Sequence, residues 1–190
     1  MALDPIDVTL LVVQQFDDLQ VPYFIGGSLA SALYGVVRTT ADCDIIADLQ
    51  PQHAHPIVQN LGKDFYADEK AFLDATIQLG SFNLIHLESM FMVDVFIHKH
   101  RLFEESQFIR RRCEVLSTNP KREAYVATAE DVLLAKLERY RLGNEVSERQ
   151  WYDILGIIKV QGIRLDLSYL HKWANILGVL DLLEKARSKD

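Results

Sequence analysis

The chain has 190 residues, 49% of them apolar and 25% charged, with a net charge of −7. These values describe a globular chain able to build its own core. They disfavour a long nucleic acid as partner, because phosphate neutralisation by basic residues supplies most of that affinity, while a small phosphorylated ligand stays open. The two cysteines, Cys43 and Cys113, have neither CxxC spacing nor an accompanying histidine pattern, so they read as reduced thiols rather than a disulfide framework. No apolar run reaches the ~18–20 residues of a membrane span, and the opening MALDPIDVTL is acidic where a signal peptide is basic. A cytoplasmic location is expected.

In chain order, Asp4-Pro5 reads as an N-cap followed by proline in the first helical turn. Ile6, Leu10, Val13 and Phe16 recur at helical spacing, so the pattern predicts a helix over 5–20. VPYFIGG is a short strand ending in glycines. SLASALYG is a two-turn helix with Gly35 as its C-terminal stop. TADCDIIADL is a strand that ends before Pro51. Residues 52–61 and 69–79 read as helices. FNLIHLES and FMVDVFI read as two strands of a hairpin, and FIRRRCEVL and AYVAT as two more. From residue 128 the pattern turns helical. Thr128 caps a helix to Gly143, Ser147 with Gln150 opens a second that ends near Gly162, Asp166 opens a third, and the tail from Val179 is a candidate fourth. The order predicts an α+β core over 1–127 and a helical C-terminal region over 128–190.

The stretch GGSLASALYGVVRTTADCDII poses the functional question. Strand alternation puts Asp42 and Asp44 on one face, about 7 Å apart, where two carboxylates repel each other and avoid a dry core. Either that face is solvated or a divalent cation joins them, Mg²⁺ being suited to hard carboxylate oxygens completed by water and phosphate. Asp94, inside the apolar run FMVDVFI, is a third carboxylate in a costly setting. If its strand lies beside that of Asp42 and Asp44, the three make a constellation for metal-assisted phosphoryl or nucleotidyl transfer. Gly26 and Gly27 permit close backbone approach, and the free amides of a helix starting at Ser28 can hold a phosphate. A tight strand-to-helix turn explains the same glycines without any ligand.

These residues, with VDVFI downstream, resemble the DNA polymerase beta-type nucleotidyltransferase superfamily. More narrowly, the chain is similar to small bacterial nucleotidyltransferase-like proteins with a GGS-x-A-S…G…R-x-T-x-D-x-D signature. FNLIH, EDVLLAKLERYR and SERQWYDILGIIK extend the similarity over most of the chain. The resemblance implies a mixed sheet flanked by helices, a C-terminal helical annex, and Mg²⁺ or Mn²⁺ held by Asp42, Asp44 and Asp94. It implies phosphate binding at Gly27 and Ser28, and at Lys136 on the first C-terminal helix. It also implies an NTP and an unidentified acceptor as substrates. Arg38, just before the carboxylate strand, is a candidate for phosphate or for a metal-ligand carboxylate, beside plain structural pairing. Met92 stands where the narrower group often carries lysine, Val36-Val37 where it often has Glu-Pro, and Cys43 where it is usually aliphatic. Two other classes stay open: a nucleotide-binding regulatory module with little turnover, and a toxin–antitoxin component acting through a protein partner.

Other groups have plainer readings. His53 and His55, between prolines, read as surface histidines. His86 and His98 read as structural histidines, with a proton-tuning role for His98 as the alternative. On a strand, Arg110 and Arg112 would share a face, as on a charged edge or against a phosphate. Lys136, Arg139 and Arg141 also fit the solvated side of a helix.

Overall fold

The computed structural model describes residues 3–37 and 39–188. It is a mixed α+β structure in two compact units, one of Met1–Gly26 with Thr40–Val126, the other of Gly27–Thr39 with Ala127–Asp190.

Among the described residues the first unit holds seven strands in one mixed sheet. They are β1 (Tyr23–Ile25), β2 (Asp42–Ala47), β3 (Phe65–Ala67), β4 (Ser81–His86), β5 (Phe91–Ile97), β6 (Arg112–Thr118) and β7 (Lys121–Val126), in the order β3-β4-β5-β2-β1-β7-β6. β2 is thus central. It runs parallel to β5 and antiparallel to β1. Alternation separates the faces of these strands. Cys43, Ile45 and Ala47 of β2, and Phe91, Val93, Val95 and Ile97 of β5, are buried, while Asp42, Ile46, Met92, Asp94 and Phe96 on the alternate face are half-buried. Helix α1 (Pro5–Asp18) packs against β2 and β5 and buries Val8, Val12, Val13 and Phe16. Asp4 caps α1 by accepting from the amide of Asp7 at 2.8 Å. Arg122 of β7 pairs with Asp7, joining the start of α1 to the sheet.

The hairpin of β4 and β5 forms as its alternation suggests, antiparallel with Asn83 opposite Asp94. Of the expected strand FIRRRCEVL, only the part from Arg112 onward is strand, in β6. Phe108–Arg110 close a helix over Leu102–Arg110, which buries Phe103, Glu104, Gln107 and Phe108. Those four recur at helical spacing, and that periodicity overrides the β-like look of Phe-Ile before a run of arginines. Arg110 and Arg112 therefore do not share a strand face. The helix spans of the first unit are completed by 54–61 and 69–78; β3, only three residues long, was not foreseen.

In the second unit, α2 (Gly27–Tyr34) groups with four helices of the C-terminal region. These run over Ala129–Leu142, Glu148–Gln161, Leu167–Ile176 and Leu180–Arg187. Thr128, Ser147 and Asp166 cap the first three as their residue types suggest. The expected stop at Gly35 is met, α2 ending at Tyr34, and packing adds a second reason for glycine there. A Cβ there would lie 3.0 Å from the Ile157 nitrogen and 3.2 Å from the carbonyl carbon of Gly156. The Glu148–Gln161 helix and the Ser31 carbonyl, 3.1 Å from that Cβ, leave little room for a side chain at Gly35. Among the described residues no helix is long and apolar enough to cross a membrane.

Candidate active site

The parallel pairing of β2 and β5 puts Asp44 directly beside Asp94 and Asp42 beside Met92. Neighbouring strands lie about 4.8 Å apart, so Asp44 and Asp94 are lateral neighbours on the face away from the packed core. Continuing the same row, Asn83 of β4 faces Asp94 on one side. On the other, the amide of Gly26 donates to the Asp44 carbonyl at 2.9 Å. The row across β4, β5, β2 and the residue following β1 thus reads Asn83, Asp94, Asp44, Gly26, with no side chain at its last place. A Cβ at Gly26 would come within 3.3 Å of the Ile46 side chain.

Asp42 is fixed by its own strand entry: the Thr40 hydroxyl donates to its Oδ1 at 2.9 Å. That hydroxyl is also 3.0 Å from the Asp42 carbonyl. Asp44 is 9% exposed, and Asp42 and Asp94 are half-buried. Between the aspartates in sequence, Cys43 points to the opposite, fully buried face. Burial pushes its thiol pKa up, and Asp44, Asp42 and Asp94 each push it further; a hydrogen bond with Thr9 opposes them. One buried sulfur thus feels all three carboxylates. The donors are hard oxygens, which fits Mg²⁺ or Mn²⁺ better than softer metals.

The expected phosphate-binding residues Gly27 and Ser28 begin α2, in the second unit. Gly27 has φ +56°, a left-handed conformation that L side chains adopt at a cost. A turn requirement therefore accounts for this glycine by itself. Ser28 is buried, and Arg149 approaches its hydroxyl at 3.5 Å. Arg149 was not singled out from sequence; its signal lay inside SERQ, which reads first as a helix cap. Arg38 lies outside the described residues. Lys136 is not on a solvated face: it is 4% exposed, and its Nζ donates to Asp153 at 2.8 Å and to Gln150 at 3.3 Å. A nucleotide role for Lys136 requires that ammonium to exchange partners.

Four other candidates, His86, His53, His55 and Arg111, make local contacts of their own. His86 is buried beside the Ser89 hydroxyl at 2.8 Å and edge-on to Phe65. His53 Nδ1 accepts from the Gln50 amide at 3.0 Å, and His55 faces Glu69 on the surface. Arg111 stacks over Tyr125, 4.8 Å from the ring centre. A cavity of about 290 Å³ in the second unit is lined by Leu133, Ile158, Leu165 and Leu170, with Arg187 among its lining residues. None of the carboxylates or phosphate-binding candidates lines it.

No family model and no curated protein matches the sequence. Solved structures do. A solution structure of the antibiotic-resistance factor ANT(2'')-Ia superposes with a TM-score of 0.57 at 16% identity, covering 99% of this chain and 100% of that one. An antigenic nucleotidyltransferase-like protein from Paracoccidioides brasiliensis gives 0.53 at 18% identity over 96% of this chain and 91% of its own. ANT(2'')-Ia in complex with adenylyl-2''-tobramycin gives 0.53 at 10% identity, over 90% and 95% of the two chains. At such identities the likeness is one of fold, and the fold is that of nucleotidyltransferases.

Proposed function

We propose that this chain is a metal-dependent nucleotidyltransferase of the DNA polymerase beta-type superfamily. In this reading it moves a nucleoside monophosphate from an NTP to a small acceptor bearing a hydroxyl or phosphate. The observation that carries the proposal is the shared register of Asp44 and Asp94 on central parallel strands, with Asp42 two residues earlier on the same face. Fold likeness to proteins described as nucleotidyltransferases supports it, one of them solved with an adenylylated small molecule.

Asp42, Asp44 and Asp94 would hold Mg²⁺ or Mn²⁺, which supplies charge neutralisation on the triphosphate and acidifies the acceptor group. Thr40 keeps Asp42 oriented. Asp94, half-buried beside Asp44, takes the acceptor proton as the acceptor oxygen bonds to the α-phosphorus and the bond to the β-phosphate breaks. Pyrophosphate leaves with the bonding electrons. The amides of Gly27 and Ser28 are assigned to the phosphates, with Arg38 and Lys136 as further cationic partners. Positioning and charge complementarity carry most of such a reaction.

A second reading, a nucleotide-binding module with little turnover, has two observations in its favour. Met92, an apolar side chain, occupies the register position beside Asp42, and Lys136 is already paired with Asp153. Thermal unfolding tests the shared premise. Mg²⁺ with an NTP is expected to raise Tm by binding the native state, and Asp42→Asn with Asp44→Asn to abolish the rise. A double variant that keeps the full rise removes the carboxylates from the proposal.

A further inference from the structure

Four residues beyond Asp44 and Asp94, at the ends of the same two strands, stands a second group of donors. Ligand atoms of Asp48, His98 and His100 all lie within 4.8 Å of one another. At ~3.3 Å rise per residue this group is roughly 13 Å along the strands from the carboxylate row, and its chemistry differs: two imidazoles with one carboxylate, against carboxylates only.

The scaffold holds these groups firmly. The His98 amide donates to the Ala47 carbonyl at 3.0 Å, and the Asp48 amide to the Pro22 carbonyl at 2.9 Å. Glu104, itself buried, accepts from the Lys99 amide at 2.7 Å and from Arg101 Nε at 2.8 Å. It thereby pins the segment that carries both histidines. His98 is 4% exposed, and its ring packs on Phe108 with ring centres 4.3 Å apart and lies 4.2 Å from the His100 ring. Its Nε2 has no hydrogen-bond partner among the described residues. Glu105 Oε1 stands 3.6 Å from that nitrogen and 3.1 Å from Nδ1 of His100. A polar atom so buried, facing carboxylates and a second imidazole, is what a cation would satisfy.

We propose that Asp48, His98 and His100 form a second metal site, for a transition metal of the Zn²⁺ class, at the end of β2 and β5. Imidazole nitrogen is a preferred donor for Zn²⁺ and its neighbours and a poor one for Mg²⁺. Three protein ligands leave a fourth position for water. Bonds of about 2.0–2.1 Å in a tetrahedral site put ligand atoms ~3.3 Å apart, inside the 4.8 Å that bounds their separations here, so binding would draw them closer. Burial, and next the neighbouring His100, hold the His98 pKa below its usual value, against the pull of Glu105, Glu104 and Asp48; the neutral ring is the ligating form. The metal would clip together the chain segments that follow β2 and β5. Such a site requires no nucleotidyl transfer.

The test is direct metal binding to the full chain after treatment with a chelator, by calorimetry with Zn²⁺ and by visible absorption with Co²⁺. One equivalent of Zn²⁺ is expected, not displaced by millimolar Mg²⁺, with a rise in Tm in the absence of nucleotide. His100→Ala and Asp48→Asn, both at sites outside the buried core, should each weaken Zn²⁺ at least tenfold while keeping the native circular dichroism. Asp42→Asn with Asp44→Asn, and His55→Ala, should leave it unchanged. Absence of stoichiometric Zn²⁺ binding, or binding unaltered in both His100→Ala and Asp48→Asn, would overturn the proposal.

Discussion

Cys43 and its two flanking aspartates divide one strand between core and site. The thiol is fully buried under α1, and burial with three nearby carboxylates makes thiolate formation unfavourable. Cys113 is exposed. In native protein at pH 8 an aromatic disulfide reagent should therefore titrate one thiol, with Cys43 reacting at least ~100-fold more slowly until the chain unfolds. Two fast thiols would mean that Cys43 does not face a closed core. The carboxylates allow a second expectation. Asp44 and Asp94, side by side in register, repel each other without a cation. Asp44→Asn should then leave metal-free protein as stable as wild type or slightly more so in urea unfolding. A loss above ~2 kcal/mol would assign Asp44 a structural hydrogen-bonding role instead.

At the scale of elements, the helical unit depends on two features. Lys136 and Asp153 form a buried ion pair, their side chains 5% and 2% exposed. Removing one partner of such a pair strands the other charge, so Lys136→Met should cost about 3–5 kcal/mol, and adding Asp153→Leu should recover most of it. The double variant also isolates function: if Lys136 meets phosphate, NTP affinity falls although stability is restored. Gly35→Ala places a carbon 3.0 Å from the Ile157 backbone nitrogen, and overpacking of this kind costs about 1–3 kcal/mol by chemical denaturation. Neither feature was readable in sequence. Lys136 and Asp153 are 17 residues apart, and the sequence left the lysine either on phosphate or on the solvated side, because spacing within one helix does not show the neighbouring helix. Caps were readable, because Asp4, Thr128, Ser147 and Asp166 act on amides within three residues. Alternation placed Asp42 and Asp44 on one face. That Asp94 would stand beside Asp44 was only a condition in the sequence, since parallel register is set by packing far along the chain. Phe108–Arg110 look strand-like in isolation because their helix begins six residues earlier, at Leu102, and its periodicity shows only when Phe103 and Gln107 are included.

For the molecule as a whole, a net charge of −7 and a carboxylate row on the central strands are at odds with an unassisted approach of a triphosphate, and a bound cation would resolve both. Under the proposed function, the chain would transfer a nucleoside monophosphate and Asp94 would serve the chemical step. The decisive measurement is a single-turnover assay with NTP labelled at the α-phosphate, Mg²⁺ and an extract fractionated for acceptors, comparing wild type with Asp94→Asn beside a nucleotide titration. Wild type should pass the α-label to a product with release of pyrophosphate. Asp94→Asn should bind NTP within about tenfold of wild type, or ~1.4 kcal/mol, yet transfer at least ~100-fold more slowly, as expected for loss of a positioned base. Equal losses of binding and transfer would reduce Asp94 to a ligand, and no α-label transfer by wild type to any acceptor fraction would contradict the enzyme in favour of the binding module.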